Sequence, residues 1–241
     1  MKITFLGTRG YIDVRTKRHF RHTSTMISFK NKRVMIDCGE DWTDKVFKIN
    51  PDAVVITHAH PDHAFGLKNG SPCPVYATKE SWLVMQNFNI KEDLRKTLIP
   101  EKKVNICGLI FQTFPVIHSI RAPGVGYRIT DGKNIIFCVH DLVAINNRKE
   151  ALKNLKLYIG DGATITRPMV RKKDGQLFGH TTIQTQLTWC KKENIPMMIV
   201  THCGTQIVAA DGRAIRAKID KLAKIRNVKV KVAYDGMEIE L

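Results

Sequence analysis

Three imidazoles and a carboxylate crowd into the stretch Thr57-His58-Ala59-His60-Pro61-Asp62-His63, directly after the apolar run Ala53–Thr57. Core packing does not account for them, because burying so many polar groups unpaired costs on the order of several kcal/mol. A strand end followed by a proline turn splays alternate side chains around a point. His58 and His60 can then serve one metal ion, while Asp62 and His63, one turn on, serve another. Imidazole nitrogens and carboxylate oxygens suit Zn²⁺, Mn²⁺ or Fe, and these ligand types alone do not rank the three.

Other residues repeat a single arrangement, an apolar run that ends in a ligand-type side chain. Arg33–Asp37 ends in Asp37, Phe114–His118 in His118, and Leu157–Asp161 in Asp161. Ile135–Asp141 ends in His140 and Asp141, and Ile199–His202 in His202. Strand ends that gather on one sheet edge are where α/β-type folds place their sites. His140 is left without a role and is expected on the opposite face of its strand from Asp141.

The elements that must position these residues are short. Strands are expected at Lys2–Leu6, Thr25–Phe29, Arg33–Asp37, Ala53–Thr57, Pro74–Ala77, Ile110–Phe114, Gly126–Thr130, Asn134–Val139, Leu155–Ile159 and Met197–Thr201. Lys30–Lys32 and Asp131–Lys133 read as hairpin turns. Helices are expected at Thr78–Gln86, Ile183–Lys192 and Asp211–Ile225, with Thr78 and Thr181 or Thr182 as caps. A closing hairpin is expected from Lys229–Tyr234 and Met237–Leu241 about Asp235-Gly236. Hairpins, then helices, then strands suggest two mixed sheets packed face to face with helices outside, in a single domain over 1–241.

The 241 residues carry 39 Lys plus Arg against 22 Asp plus Glu, a formal charge of +17. With 43% apolar and 25% charged residues, disorder as the main state is excluded. The charge favours an anionic partner, nucleic acid or a phosphorylated small molecule, ahead of an acidic membrane. No apolar run reaches the ~20 residues of a membrane span. The apolar start Met1–Gly7 is too short for a secretory signal, so a soluble, cytoplasmic protein is expected. The six cysteines form no Cys-x-x-Cys pair and read as reduced, mostly buried thiols.

The His-x-His-x-Asp-His motif, followed by His118, Asp141 and His202 at later strand ends, resembles the metallo-β-lactamase superfamily. The resemblance runs from the first strand and Asp37-Cys38-Gly39 to Asp235-Gly236. It implies an α/β fold, an αββα sandwich of two mixed β-sheets flanked by helices, with two divalent metal ions along one edge. Zinc is the first expectation, with manganese or iron as alternatives. It also implies His58, His60 and His118 on one ion, Asp62, His63 and His202 on the other, Asp141 bridging, and Asp37 orienting the histidine turn through hydrogen bonds.

Departures narrow the branch. His60 stands where redox di-iron members carry Glu, and Asp141 where true β-lactamases carry a non-bridging residue. Gly160–Thr164 and Gly179–Ile183 resemble the ribonuclease Z-like region in which an acidic residue supports a histidine at a helix start. His180 would then protonate a leaving oxygen, with Asp161 orienting it and Asp62 orienting or deprotonating the attacking water. A phosphodiester substrate, RNA or a small nucleotide, is implied, and the branch is commonly dimeric. The 23 residues from His118 to Asp141 leave no room for the long arm of tRNA-processing members. Basic runs at Arg18–His22 and Arg167–Lys173 are read as solvated loops that could grip phosphate. Two rival readings stand beside this one. A glyoxalase II-like thioesterase, or another small-ester or lactone hydrolase, would use the same hydroxide. A non-catalytic nucleic-acid-binding module would ordinarily have lost ligands, and none is missing.

Overall fold

Alternation decides the first strand: in Lys2–Gly7, Ile3 and Phe5 are fully buried between partly exposed neighbours. The structure, a computed structural model, describes all 241 residues. Six strands succeed one another in the first half: β1 (Lys2–Gly7), β2 (Ser24–Phe29), β3 (Lys32–Ile36), β4 (Ala53–Val55), β5 (Val75–Thr78) and β6 (Arg95–Leu98). Next come β7 (Lys103–Ile106), β8 (Leu109–Ile117), β9 (Gly124–Thr130), β10 (Ile135–Cys138), β11 (Ala144–Ile145) and β12 (Leu157–Asp161). The chain ends with β13 (Met169–Lys173), β14 (Gln176–His180), β15 (Met197–Thr201), β16 (Lys229–Val232) and β17 (Met237–Glu240).

One sheet runs β17-β1-β2-β3-β4-β5-β6, and the other β11-β8-β9-β10-β12-β15-β16 with β7 beside β8. Pleating sorts side chains between layers. Val34 and Ile36 of β3 meet Tyr127, Ile136 and Ile159 of the facing sheet in the middle core. Met35 faces outward instead, onto Trp42, Val46 and Met85. On the far side, Tyr158 and Met198 pack against Ile183, Leu187 and Ile219 of the helices Ile183–Lys192 and Gly212–Lys224. The result is the expected helix–sheet–sheet–helix sandwich. Thr78, Thr182 and Asp211 cap their helices through side-chain oxygens that accept from Ser81, Thr185 and Arg213.

Both early hairpins form, β2 with β3 and β9 with β10. The closing hairpin does not. β16 runs parallel to β15, whereas β17 lies antiparallel to β1 at the edge of the other sheet. The Asp235-Gly236 turn hands the chain between sheets, with Gly236 at φ +86°. Burial explains the difference: Val230 and Val232 pack on the helical core, while Met237 enters the core between the sheets. The basic run Arg167–Lys173 is likewise no loop, since its end pairs with Gln176–His180 as a two-stranded hairpin.

β3, β4, β5 and β6 are mutually parallel, as are β10, β12, β15 and β16. Their carboxyl ends therefore open onto one edge, where Asp161 ends β12 and Asp37, Asp141 and His202 follow their strands.

Candidate metal centre

The turn after β4 is built by its proline. His60 stands at the N-cap of a short helix, Pro61–Ala64, with Pro61 at its first position, so Asp62 and His63 sit in the first turn. Gly39 lets the neighbouring turn close upon it, because a Cβ there would stand 2.0 Å from the Asp62 carbonyl oxygen. Asp37 and His202 occupy the left-handed region, at φ +63° and +50°, an uncommon conformation for residues with side chains.

Four residues meet in a first group. His60 Nδ1 stands 2.9 Å from His58 Nε2 and 3.3 Å from His118 Nε2. Asp141 Oδ2 is 3.3 Å from His58 Nε2 and from His118 Nε2. A second group shares that oxygen: His63 Nε2 is 3.1 Å from Asp141 Oδ2 and 3.2 Å from Asp62 Oδ2, which is 3.2 Å from His202 Nε2. All seven expected ligand residues thus converge on one cluster, with Asp141 common to both groups.

The outer ring nitrogens fix how these rings point. His63 Nδ1 donates to Asp37 Oδ2 at 2.7 Å, and His118 Nδ1 to the Gly179 carbonyl at 3.0 Å. Thr57 Oγ1 donates to Asp37 Oδ2, so it accepts from His58 Nδ1 at 3.1 Å. In their neutral tautomers all three rings therefore turn an unprotonated Nε2 inward. His63 Nε2 is buried without any hydrogen bond, and the buried Asp141 Oδ1 and His202 Nδ1 face each other at 2.8 Å. Ligands ~2.0–2.1 Å from a tetrahedral zinc ion stand roughly 3.3 Å apart, and the inward atoms here have that spacing. The residues fit divalent-cation binding.

Electrostatics divide the histidines into two sets. Burial pushes His58, His60 and His118 down to about 4, leaving neutral, ligand-ready rings. Burial opposes charge on Asp62 and Asp141 too, but the surrounding histidines outweigh it and hold both carboxyls well below the usual range. His63 and His202 move the other way: burial disfavours their charge, yet the neighbouring carboxylates raise both well above the ordinary imidazole value.

Asp161 is fully buried, and its Oδ2 accepts from His180 Nδ1 at 2.8 Å. His180 ends strand β14; it does not begin a helix, because the next helix is capped by Thr182. Gln186 fixes Asp161 from behind, its Oε1 accepting the Asp161 amide at 2.9 Å and its Nε2 donating to the Asp161 carbonyl at 2.7 Å. A cavity of about 530 Å³ opens over the cluster, lined by His60, Asp62, His118, Asp141, His180 and His202, with Gly10–Ile12 and Met169 at its walls.

Several partners escaped sequence reasoning. His140 is fully buried and donates through Nδ1 to Asp37 Oδ2 at 2.6 Å. Ser119 holds His60 Nε2 at 3.2 Å. Gln186 left a trace, an amide on the face shared by Ile183, Leu187 and Cys190. The run Arg18–His22 is away from the cavity: His19 and His22 are buried, Arg18 lies over the Tyr234 ring and Arg21 over Trp42. All six cysteines are free and five are buried. No helix is long and apolar enough to cross a membrane.

Residues 32–203 match the model of the beta-lactamase superfamily domain. Among curated proteins, the chain is 35% identical over 72 residues to ribonuclease Z of Alkaliphilus oremlandii, covering 28% of this chain and 22% of that protein. It is 28% identical over 146 residues to ribonuclease Z of Methanopyrus kandleri, covering 54% of this chain and 50% of that one. The matches thus span half or less of those relatives. The metallo-beta-lactamase fold protein YhfI of Bacillus subtilis superimposes with a TM-score of 0.75 at 17% identity, covering 100% of this chain and 99% of that one. A family model matched across most of the chain, over a sandwich with this edge, shows that the protein belongs to the beta-lactamase superfamily.

Proposed function

We propose that the protein is a dinuclear metal-dependent phosphodiesterase, a ribonuclease Z-like hydrolase without the long arm of tRNA-processing members. One observation carries the reading: seven ligand-type side chains form two groups around a shared Asp141 oxygen, with the His180–Asp161 pair at their rim. His58, His60 and His118 would hold one ion, Asp62, His63 and His202 the other, and Asp141 both. Two such cations, zinc first among the candidates, lower the pKa of water toward neutrality and screen phosphoryl oxygens. The protein's own share is positional and acid–base. Asp62 orients the attacking water. Asp161 engages His180 at Nδ1, which leaves Nε2 to donate a proton to the departing oxygen. Burial opposes charge on His180, but Asp161 raises its pKa, so the ring holds that proton more readily near neutral pH. Ribonuclease Z relatives and the charge of +17 support a nucleic-acid substrate.

The test sets bis(p-nitrophenyl) phosphate against S-lactoylglutathione with the metal-loaded protein. Hydrolysis of the diester is expected, and turnover of the thioester alone would replace this reading with the thioesterase one. His180→Ala should lower kcat on the diester by about 10²–10⁴-fold, the usual weight of a general acid, with both metals retained. Unchanged turnover would remove His180 from the chemistry.

A further inference from the structure

The hairpin β13–β14 belongs to neither large sheet, and every residue of β13 is exposed. Its register sets Met169 opposite His180, Arg171 opposite Phe178 and Lys173 opposite Gln176. Directly opposed residues project from the same face of an antiparallel pair, and the pairs between them from the other. One face therefore carries, outward from the metal centre, His180 with Met169, Phe178 with Arg171, and Gln176 with Lys173. The other face carries Val170, Lys172 and Leu177.

The first face is continuous with the metal centre. Met169 and His180 line the cavity over the cluster, and a second opening of about 580 Å³ lies along Arg167–Arg171, Val170 of the other face included, and Phe178–His180. The base of the hairpin is clamped to a ligand, since the Gly179 amide donates to the His118 carbonyl at 2.8 Å and the Gly179 carbonyl accepts from His118 Nδ1 at 3.0 Å. No carboxylate stands on this face. Its pairs follow one another at about 6.8 Å, twice the rise per residue of a strand. That pitch is on the scale of successive phosphates along an extended single strand. Cations at such a pitch, with an aromatic ring directly opposite one of them, combine backbone neutralisation with base stacking.

We propose that this face is the track on which a single-stranded nucleic acid lies as its scissile diester enters the metal centre. Arg171 and Lys173 meet successive phosphates, and Phe178 stacks under a base. The inference rests on the phosphodiesterase reading and deepens it from a diester to a strand of several nucleotides.

The experiment compares Arg171→Gln/Lys173→Gln with Lys172→Gln, which neutralises a charge on the opposite face. Two substrates are used, a labelled single-stranded oligoribonucleotide and bis(p-nitrophenyl) phosphate. In the double variant, the ratio of kcat/KM on the oligonucleotide to that on the small diester should fall at least tenfold, through KM. In Lys172→Gln the ratio should stay within twofold. Fluorescence anisotropy with metal-free protein should show the salt slope of oligonucleotide affinity falling by about 1.4 in the double variant, the loss of two single-strand phosphate contacts. Phe178→Ala should weaken binding at least fivefold.

An equal effect from Lys172→Gln, or an unchanged ratio and affinity in the double variant, overturns the track. A double variant whose mass in solution shifts assigns the face to contact between copies and overturns it as well. If neither the oligonucleotide nor the small diester is hydrolysed, the phosphodiesterase reading fails and the track to a scissile diester is overturned with it. Hydrolysis of both with no face-dependent difference overturns the track alone.

Discussion

Asp37 shows how one carboxylate can set a site it does not enter. Its Oδ1 accepts the Thr57 amide at 2.7 Å, and its Oδ2 accepts from Thr57 Oγ1 at 2.7 Å, His63 Nδ1 at 2.7 Å and His140 Nδ1 at 2.6 Å. Burial opposes its ionisation, but His63 and His140 more than offset that and hold the carboxyl far below its ordinary range. His140 follows β10 in one sheet and Asp37 follows β3 in the other, so this bond joins the two halves behind His63. Losing a hydrogen-bond partner of a ligand typically costs 10–100-fold in metal affinity. His140→Ala should therefore weaken zinc binding at the Asp62–His63–His202 group by about that factor, as read by chelator competition. His140→Asn, which keeps a donor, should recover part of the loss. A variant that lowers the melting temperature of metal-free protein while leaving both zinc affinities intact would reduce His140 to a packing residue.

At the scale of elements, Gly179 decides how the hairpin β13–β14 meets the sheets. It has φ +112°, and a Cβ there would stand 2.0 Å from the Met169 carbonyl oxygen. Gly179→Ala must displace the end of β14, and with it both the carbonyl that holds His118 Nδ1 and the backbone of His180. The expected result is a large loss of turnover and weaker zinc binding at the His58–His60–His118 group. Because the hairpin lies outside all three hydrophobic cores, the melting temperature of metal-free protein should move by only a few degrees, of the order that ~1 kcal/mol produces. Full activity in this variant would uncouple the hairpin from the centre. The same elements show what a sequence can and cannot reveal. Buried runs such as Ala53–Thr57 and Met197–Thr201 betray strands, and the ligand-type residue after each betrays the edge they share. Asp235-Gly236 has the same local pattern whether the next strand folds back or crosses to the other sheet, and only the cores taken up by Val232 and Met237 decide. The run Arg171–Lys173 lacks apolar alternation, so its strand leaves no period-two signal. His140 pairs with a residue over a hundred positions away, which local reading cannot reach.

At the scale of the whole molecule, the segment between β1 and β2 is bound to Asp235 by a partly buried knot of titratable groups. Thr8 Oγ1 donates to Asp235 Oδ1 at 2.7 Å, so it accepts from His19 Nδ1 at 2.8 Å. The Asp235 Oδ2 atom accepts the amides of Phe20 at 3.0 Å and Arg21 at 2.9 Å. Burial, then the charge of Arg18, pushes His19 down to about 4 from the ordinary 6.5. The folded state thus binds fewer protons than the unfolded one between those values, and stability must rise with pH across that window. On falling from pH 7 to pH 5, His19 alone should remove up to about 2 kcal/mol. Burial raises the pKa of Asp235, which contributes in the opposite sense above its ordinary 3.8 and so blunts the loss. Metal-free protein is the material for the measurement, because ligand protonation would otherwise release the cations in the same range. Urea unfolding at pH 7 and pH 5 should show the wild type losing stability on acidification. His19→Gln, an amide that keeps a donor for Thr8 and takes up no proton, should lose markedly less. Equal losses in the two proteins would mean that His19 keeps its ordinary affinity for protons despite its burial. The acid sensitivity of the fold would then have to come from other buried histidines, with His22, also pushed down to about 4, the first to replace.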